Sequence, residues 1–165
     1  MVVNRAESVM RSRLLIRPSE LRRLNPKTGV YDMPIGNGLF SKERIRSGQQ
    51  VVHFTGATRA DIIQAKEVSD HGGYVITNIA QTFGLDCFHT AARHQCFASM
   101  ANSPYKCMNI VRNIIPRANV QKSCKAMSDG TYLFGLIASE DIKPFTEILV
   151  NYGHAYIYPS HYEEY

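Results

Sequence analysis

Turn-forming residues recur so often along this chain that no long element fits between them. Asn25-Pro26-Lys27-Thr28-Gly29, Gly36-Asn37-Gly38, Ser47-Gly48 and Ser103-Pro104 cut it into short runs. Between them lie stretches of strand length: Leu14–Ile16, Leu39–Phe40, Val51–Phe54, Tyr74–Ile79, Phe83–Cys87, Asn109–Ile115, Tyr132–Ala138 and Ile148–Tyr152. Helical signals are few. Ser19 is placed to cap one helical turn through Leu24, and Thr58 to cap a helix from Arg59 to about Val68. Residues 90–100 read as helical or irregular. The expectation is a mostly-β fold with a minor α component, built from several small sheets.

A chain of 165 residues can bury a core without staples, and no boundary inside 29–165 has the composition of a linker. The expected organisation is a basic segment over 1–28, open to being part of the fold, and one domain over 29–165. Hydrophobic residues make up 44% and charged ones 20%, which excludes a low-complexity or disordered chain. No apolar run approaches the roughly 18 residues of a membrane span, and the first residues lack the apolar core of a signal peptide. Cys87, Cys96, Cys107 and Cys124 form no C-x-x-C pair, so reduced thiols and an intracellular setting are expected, with no membrane contact.

The net charge of +5 is unevenly placed. Arg5, Arg11, Arg13, Arg17, Arg22, Arg23 and Lys27 face only Glu7 and Glu20 in residues 1–28, whereas the rest of the chain is neutral. Such a segment suits nucleic acid, an acidic protein face or an anionic membrane surface. Interleaving of its arginines with Leu14, Leu15 and Ile16 equally suits a half-buried strand.

Three constellations carry chemistry. Gly36-Asn37-Gly38-Leu39-Phe40 is followed by Ile45-x-x-Gly48, Val51 and Phe54-Thr55-Gly56. Two glycines one residue apart permit positive φ or close approach of another group to the backbone. By itself that pattern is ordinary turn geometry. Ser99-Met100-Ala101-Asn102-Ser103-Pro104 with a downstream Asn109 is the second, and Ala138-x-x-x-Ile142 followed by Glu147-Ile148-Leu149-Val150-Asn151-Tyr152-Gly153 is the third.

In this order the three resemble the SET-domain family of protein-lysine methyltransferases, over roughly residues 34 to 153. The family pattern is G-x-G-L-F, I-x-x-G, N-H-S with a later Asn, then A-x-x-x-I and E-L-x-x-[DN]-Y-G. The chain departs from it at two points: the histidine after Asn102 is missing, and Phe145-Thr146 replaces the glycine before the final Glu. The resemblance implies a fold with a knot-like C-terminal crossing, S-adenosylmethionine as cofactor, and methyl transfer to the ε-amine of a protein lysine, with histone a candidate. A nuclear setting goes with that substrate. Asn37, Gly38, Leu39 and Tyr74 are implied as cofactor contacts, with Ala101, Asn102 and Ser103 in the second motif. Tyr152 is implied as the catalytic residue, and Phe54, Val150 and Tyr156 as walls of the lysine channel.

Those roles are chemically coherent. Displacement at a sulfonium methyl needs amine, carbon and sulfur in line, so positioning carries much of the rate. The amine must be neutral, and an apolar aromatic channel lowers an ammonium's pKa by desolvation. A hydroxyl at Tyr152 orients the amine or accepts a weak C–H···O contact. The plain alternative for Tyr152 is a ring packed at a strand end. Cys87-x-His89 with His94-x-Cys96 offers zinc-type ligands at a spacing unlike common zinc modules, so no metal is expected. A SET-like module that binds protein without catalysis is the leading functional alternative.

Overall fold

The computed structural model describes residues 5–59, 75–77, 84–87, 91, 93 and 95–152. Among them are one α-helix and twelve strands. The helix α1 is Arg5–Ser12. The strands are β1 Leu14–Pro18, β2 Leu21–Asn25, β3 Val30–Pro34, β4 Asn37–Ser41, β5 Gln50–His53, β6 Ala57–Arg59, β7 Val75–Thr77, β8 Gly84–Asp86, β9 Cys107–Asn109, β10 Val120–Ala126, β11 Tyr132–Ala138 and β12 Glu147–Ile148. They form four three-stranded sheets, ordered β1-β4-β12, β3-β2-β9, β10-β11-β5 and β6-β8-β7. The mostly-β expectation with several small sheets is borne out.

Alternation along β11 explains how one sheet seals the core. Phe134, Leu136 and Ala138 are all buried, and Leu136 pairs with Val52 of β5. In the first sheet Leu39 lies between Ile16 and Ile148, with β4 antiparallel to both neighbours. Leu39, Val52, Leu136 and Ile148 join one apolar cluster with Leu14, Ile45, Val120, Ile142 and Val150. Each large aliphatic side chain buried there contributes roughly 1.5–3 kcal/mol.

The chain's last described segment holds this core together from inside. After β12, Leu149 bridges Asn102 in parallel, and Val150 bridges Val120 in parallel. The Val150 amide donates to the Asn102 carbonyl at 3.0 Å, while the Asn119 amide donates to the Leu149 carbonyl at 3.0 Å. The segment 147–150 therefore runs between β4, the Asn102 loop and the start of β10.

Three local expectations are corrected. Ser19 caps no helical turn, because Leu21–Asn25 is a strand flanked by β3 and β9. The run 109–115 is not one strand: β9 ends at Asn109, and a tight turn through Asn113 (φ 52°) brings Ile114 back to pair with Asn109. Thr58 and Arg59 belong to β6, paired with β8, rather than to a helix start. The remainder of that expected helix lies outside the described residues. Residues 14–18 and 21–25 are strands of the body, and Arg13, Arg17 and Arg22 are engaged within it. Arg13 pairs with Glu43, Arg17 donates to Glu20 at 2.6 Å and lies 3.8 Å over the Phe40 ring, and Arg22 donates to the Ser19 carbonyl. Among the described residues no helix is long and apolar enough to cross a membrane.

Candidate active site

Gly36 and Gly38 open the site for two different reasons. Gly36 sits at φ 89°, and its carbonyl accepts from the Ser19 amide at 2.9 Å. Gly38 has no room for a side chain: an added Cβ would lie 2.2 Å from Glu147 Oε1 and 3.2 Å from Asn102 Nδ2. The close approach that a second glycine permits is thus made by the chain's own glutamate.

Glu147 is the hub. Its carboxylate is buried, accepting from Ser19 Oγ at 2.6 Å, the Glu20 amide at 3.1 Å and Asn102 Nδ2 at 3.1 Å. Burial pushes its carboxyl above the usual range, while the Ser19, Asn102 and Glu20 bonds pull the other way. Asn102 Nδ2 also donates to the Asn37 carbonyl at 3.0 Å. Both neighbours of that nitrogen are acceptors, which fixes the orientation of the amide. Asn119, itself buried, clamps the same segment: its Nδ2 donates to the Glu147 carbonyl at 2.8 Å, and its Oδ1 accepts from the Leu149 amide at 2.9 Å.

Tyr152 follows two residues after the crossing. Its hydroxyl donates to the Ala101 carbonyl at 2.9 Å, and its own carbonyl accepts from Lys122 Nζ at 3.0 Å. The ring is half-buried against the main core, as is Phe54, whose amide is tied to the Phe134 carbonyl at 2.9 Å. A phenol has one donor and two acceptor lone pairs. With the donor committed to Ala101, Tyr152 can serve a further group only as an acceptor.

The structure thereby joins Asn102 to Asn37 and Tyr152 to Ala101 through direct hydrogen bonds, with Gly38 packed closely against Glu147 and Asn102. Leu39 and Val150 are buried core side chains, and the Leu39 backbone lies within the sheet between β1 and β12. Ser103 is buried beside them. Tyr74, Tyr156, His89 and His94 lie outside the described residues. Cys87 and Cys96 are both buried, with the Cys87 thiol donating to Cys96. Ser99 Oγ and the Thr55 amide add bonds to the Cys96 sulfur at 3.0 and 3.3 Å, and these donors hold its thiol down in pKa. Among the described residues no cluster of three or more metal-ligand side chains is assembled. Sequence reasoning passed over Ser19, Asn119 and Lys122, which no motif carries. Glu147 was visible as a motif letter without a role.

The SET-domain family model matches residues 36–153, most of the chain. The chain belongs to the SET-domain family. This SET domain therefore belongs to a family of protein methyltransferase type, acting on protein substrates and typically using S-adenosylmethionine. A similar solved structure is the crystal structure of CpSET8 from Cryptosporidium, with a TM-score of 0.57 and 16% identity. The alignment covers 85% of this chain and 57% of that one, so the SET domain here spans little more than half the length of that protein. At that identity the likeness concerns the fold. No curated protein matches this sequence.

Proposed function

We propose that this SET domain transfers a methyl group from S-adenosylmethionine to the ε-amine of a protein lysine, with Tyr152 as the catalytic residue. The observation that carries this reading is the bond from the Tyr152 hydroxyl to the Ala101 carbonyl, formed beside the Asn37–Asn102 contact. It leaves the phenol oxygen with acceptor capacity alone, which is what an amine N–H or a polarised methyl C–H requires.

The residues present fit the cofactor. Asn37, Gly38 and Leu39 lie on β4, and the amide of Asn102 ties the Ala101–Ser103 segment to Asn37, so the two motifs that the family pattern assigns to the cofactor meet here. S-adenosylmethionine supplies an electrophilic methyl carbon on a sulfonium. Phe54 and Tyr152 are half-buried aromatics against the same apolar cluster. Beside such half-buried rings an ammonium is poorly solvated, which favours the lysine in its neutral, nucleophilic form. The Ala101 carbonyl holds the Tyr152 ring, and Lys122 holds the backbone that carries it. None of these groups has to act as a strong base.

Histone lysines are the first substrates to try, and a nuclear location goes with them. The direct test incubates the protein with S-adenosylmethionine and a broad panel of lysine-bearing proteins and peptides, including mixed histones. Methyl-lysine is then read by mass spectrometry. Methylated lysine supports the proposal. Cofactor binding with no transfer to any member of the panel favours a protein-binding module instead.

A further inference from the structure

We propose that Ser19 and the backbone N–H of Glu20 are positioning groups for the cofactor site, acting through the Glu147 carboxylate on Asn102. Both lie before residue 36, outside the family match. The inference rests on the methyl-transfer reading and adds to it a segment that the family pattern does not contain.

The chain of contacts is continuous. The Leu21 amide donates to Ser19 Oγ at 3.0 Å, which turns the hydroxyl proton toward Glu147 Oε1 at 2.6 Å. The Glu20 amide holds Oε2 at 3.1 Å, so both carboxylate oxygens are fixed from the β1–β2 connection. Oε1 then receives one hydrogen of Asn102 Nδ2, and the other goes to the Asn37 carbonyl. Both amide hydrogens are committed, and the direction of the Asn102 side chain follows from where Glu147 sits. Gly38 leaves the space that makes this approach feasible.

The energetics argue for a positional task. Among the described residues the partners of the Glu147 carboxylate are the neutral donors Ser19, Glu20 N–H and Asn102, with no cation bonded to it. A carboxyl whose pKa is raised by burial stabilises nothing by ionising. Native stability is therefore highest below its unfolded pKa, and part of it is lost as the pH rises through the folded pKa. The carboxylate is kept for its geometry: two oxygens that can accept three bonds at once. Adding a proton turns one oxygen into a donor and breaks that pattern. The charged and titratable groups facing it are Glu20, which pairs with Arg17 and accepts from Asn109 Nδ2 at 3.0 Å, and the Cys107 thiol next to Arg23.

The experiment compares wild type, Ser19→Ala and Ser19→Thr by calorimetric titration with S-adenosylhomocysteine across acidic to neutral pH, alongside steady-state kinetics. In folded Ser19→Ala the Kd is expected to rise about tenfold, the scale of one hydrogen bond to a charged group. The turnover at saturating cofactor should stay within about threefold, so the loss falls on KM for cofactor. Loss of affinity on acidification should begin at higher pH in Ser19→Ala, because one of the donors holding the Glu147 carboxyl down is gone. Ser19→Thr, which keeps the hydroxyl, should recover most of the affinity. A Ser19→Ala protein that is merely less stable, with wild-type Kd and pH profile, overturns the inference and leaves the methyl-transfer reading intact. A wild-type protein that binds no S-adenosylhomocysteine overturns both.

Discussion

Gly38 and Phe145 mark opposite ways in which a single residue meets its backbone. At Gly38 the constraint is space. A methyl group there would stand 2.2 Å from Glu147 Oε1, and the carboxylate is pinned by Ser19 and Glu20. Gly38→Ala is expected to destabilise the fold by about 2 kcal/mol, the scale of overpacking, as read by chemical denaturation, and to weaken cofactor binding. At Phe145 the constraint is φ, which is 59° although the residue carries a large side chain. The family pattern places a glycine just before its final Glu, and this chain keeps the left-handed turn without the glycine. Phe145 is 64% exposed, so little burial would be lost on removing its side chain. Phe145→Gly is expected to stabilise the protein by about 1 kcal/mol, seen as a higher denaturation midpoint with unchanged turnover.

At the scale of elements, α1 is held by a buried acid rather than by an apolar stripe. Glu7 accepts from Arg11 at 2.8 Å and meets His53 Nδ1 at 3.2 Å. Burial would raise its carboxyl, but the bonds to His53 and Arg11 outweigh that and hold it below the usual range. A carboxyl lowered on folding contributes stability above its unfolded pKa and loses it as pH falls through the folded value. Glu7→Gln should therefore cost about 2 kcal/mol at neutral pH, and the difference from wild type should vanish in acid. Denaturant midpoints measured at both ends of that range decide it. The same helix shows why part of the fold was hidden in the sequence. Periodicity treats Glu7 as solvent-facing, so α1 has no legible apolar face. β10 was missed because most of its side chains are exposed on a hairpin with β11. The opposite error fell on Ser19, where a local cap pattern lost to a partner 128 positions away. The apolar β11, with its buried alternate positions, was legible with its bounds.

At the scale of the molecule, the sites that matter are made by the last segment meeting the first. Motif order in the sequence was enough to bring Asn37, Asn102 and Tyr152 into one neighbourhood. The geometry that fixes them was not legible, because Ser19 and Asn119 act through side-chain bonds that no periodic pattern records. Deleting residues 1–28 would remove β1 and β2, so an effect of the basic segment on partner binding has to be sought by charge substitution at the exposed Lys27 instead. Packing also sorts the four thiols. Cys87, Cys96 and Cys107 are buried and Cys124 is exposed on β10. A native-state thiol titration should give one fast-reacting group, lost in Cys124→Ser, and four after denaturation. The central claim is that the Tyr152 hydroxyl, held by Ala101, acts on the reacting groups and not merely in packing. Single-turnover methyl transfer by Tyr152→Phe, measured beside its Kd for S-adenosylhomocysteine, tests that most directly. The account predicts a rate lower by about 100-fold with Kd changed by less than about threefold, and a wild-type rate in Tyr152→Phe would contradict it.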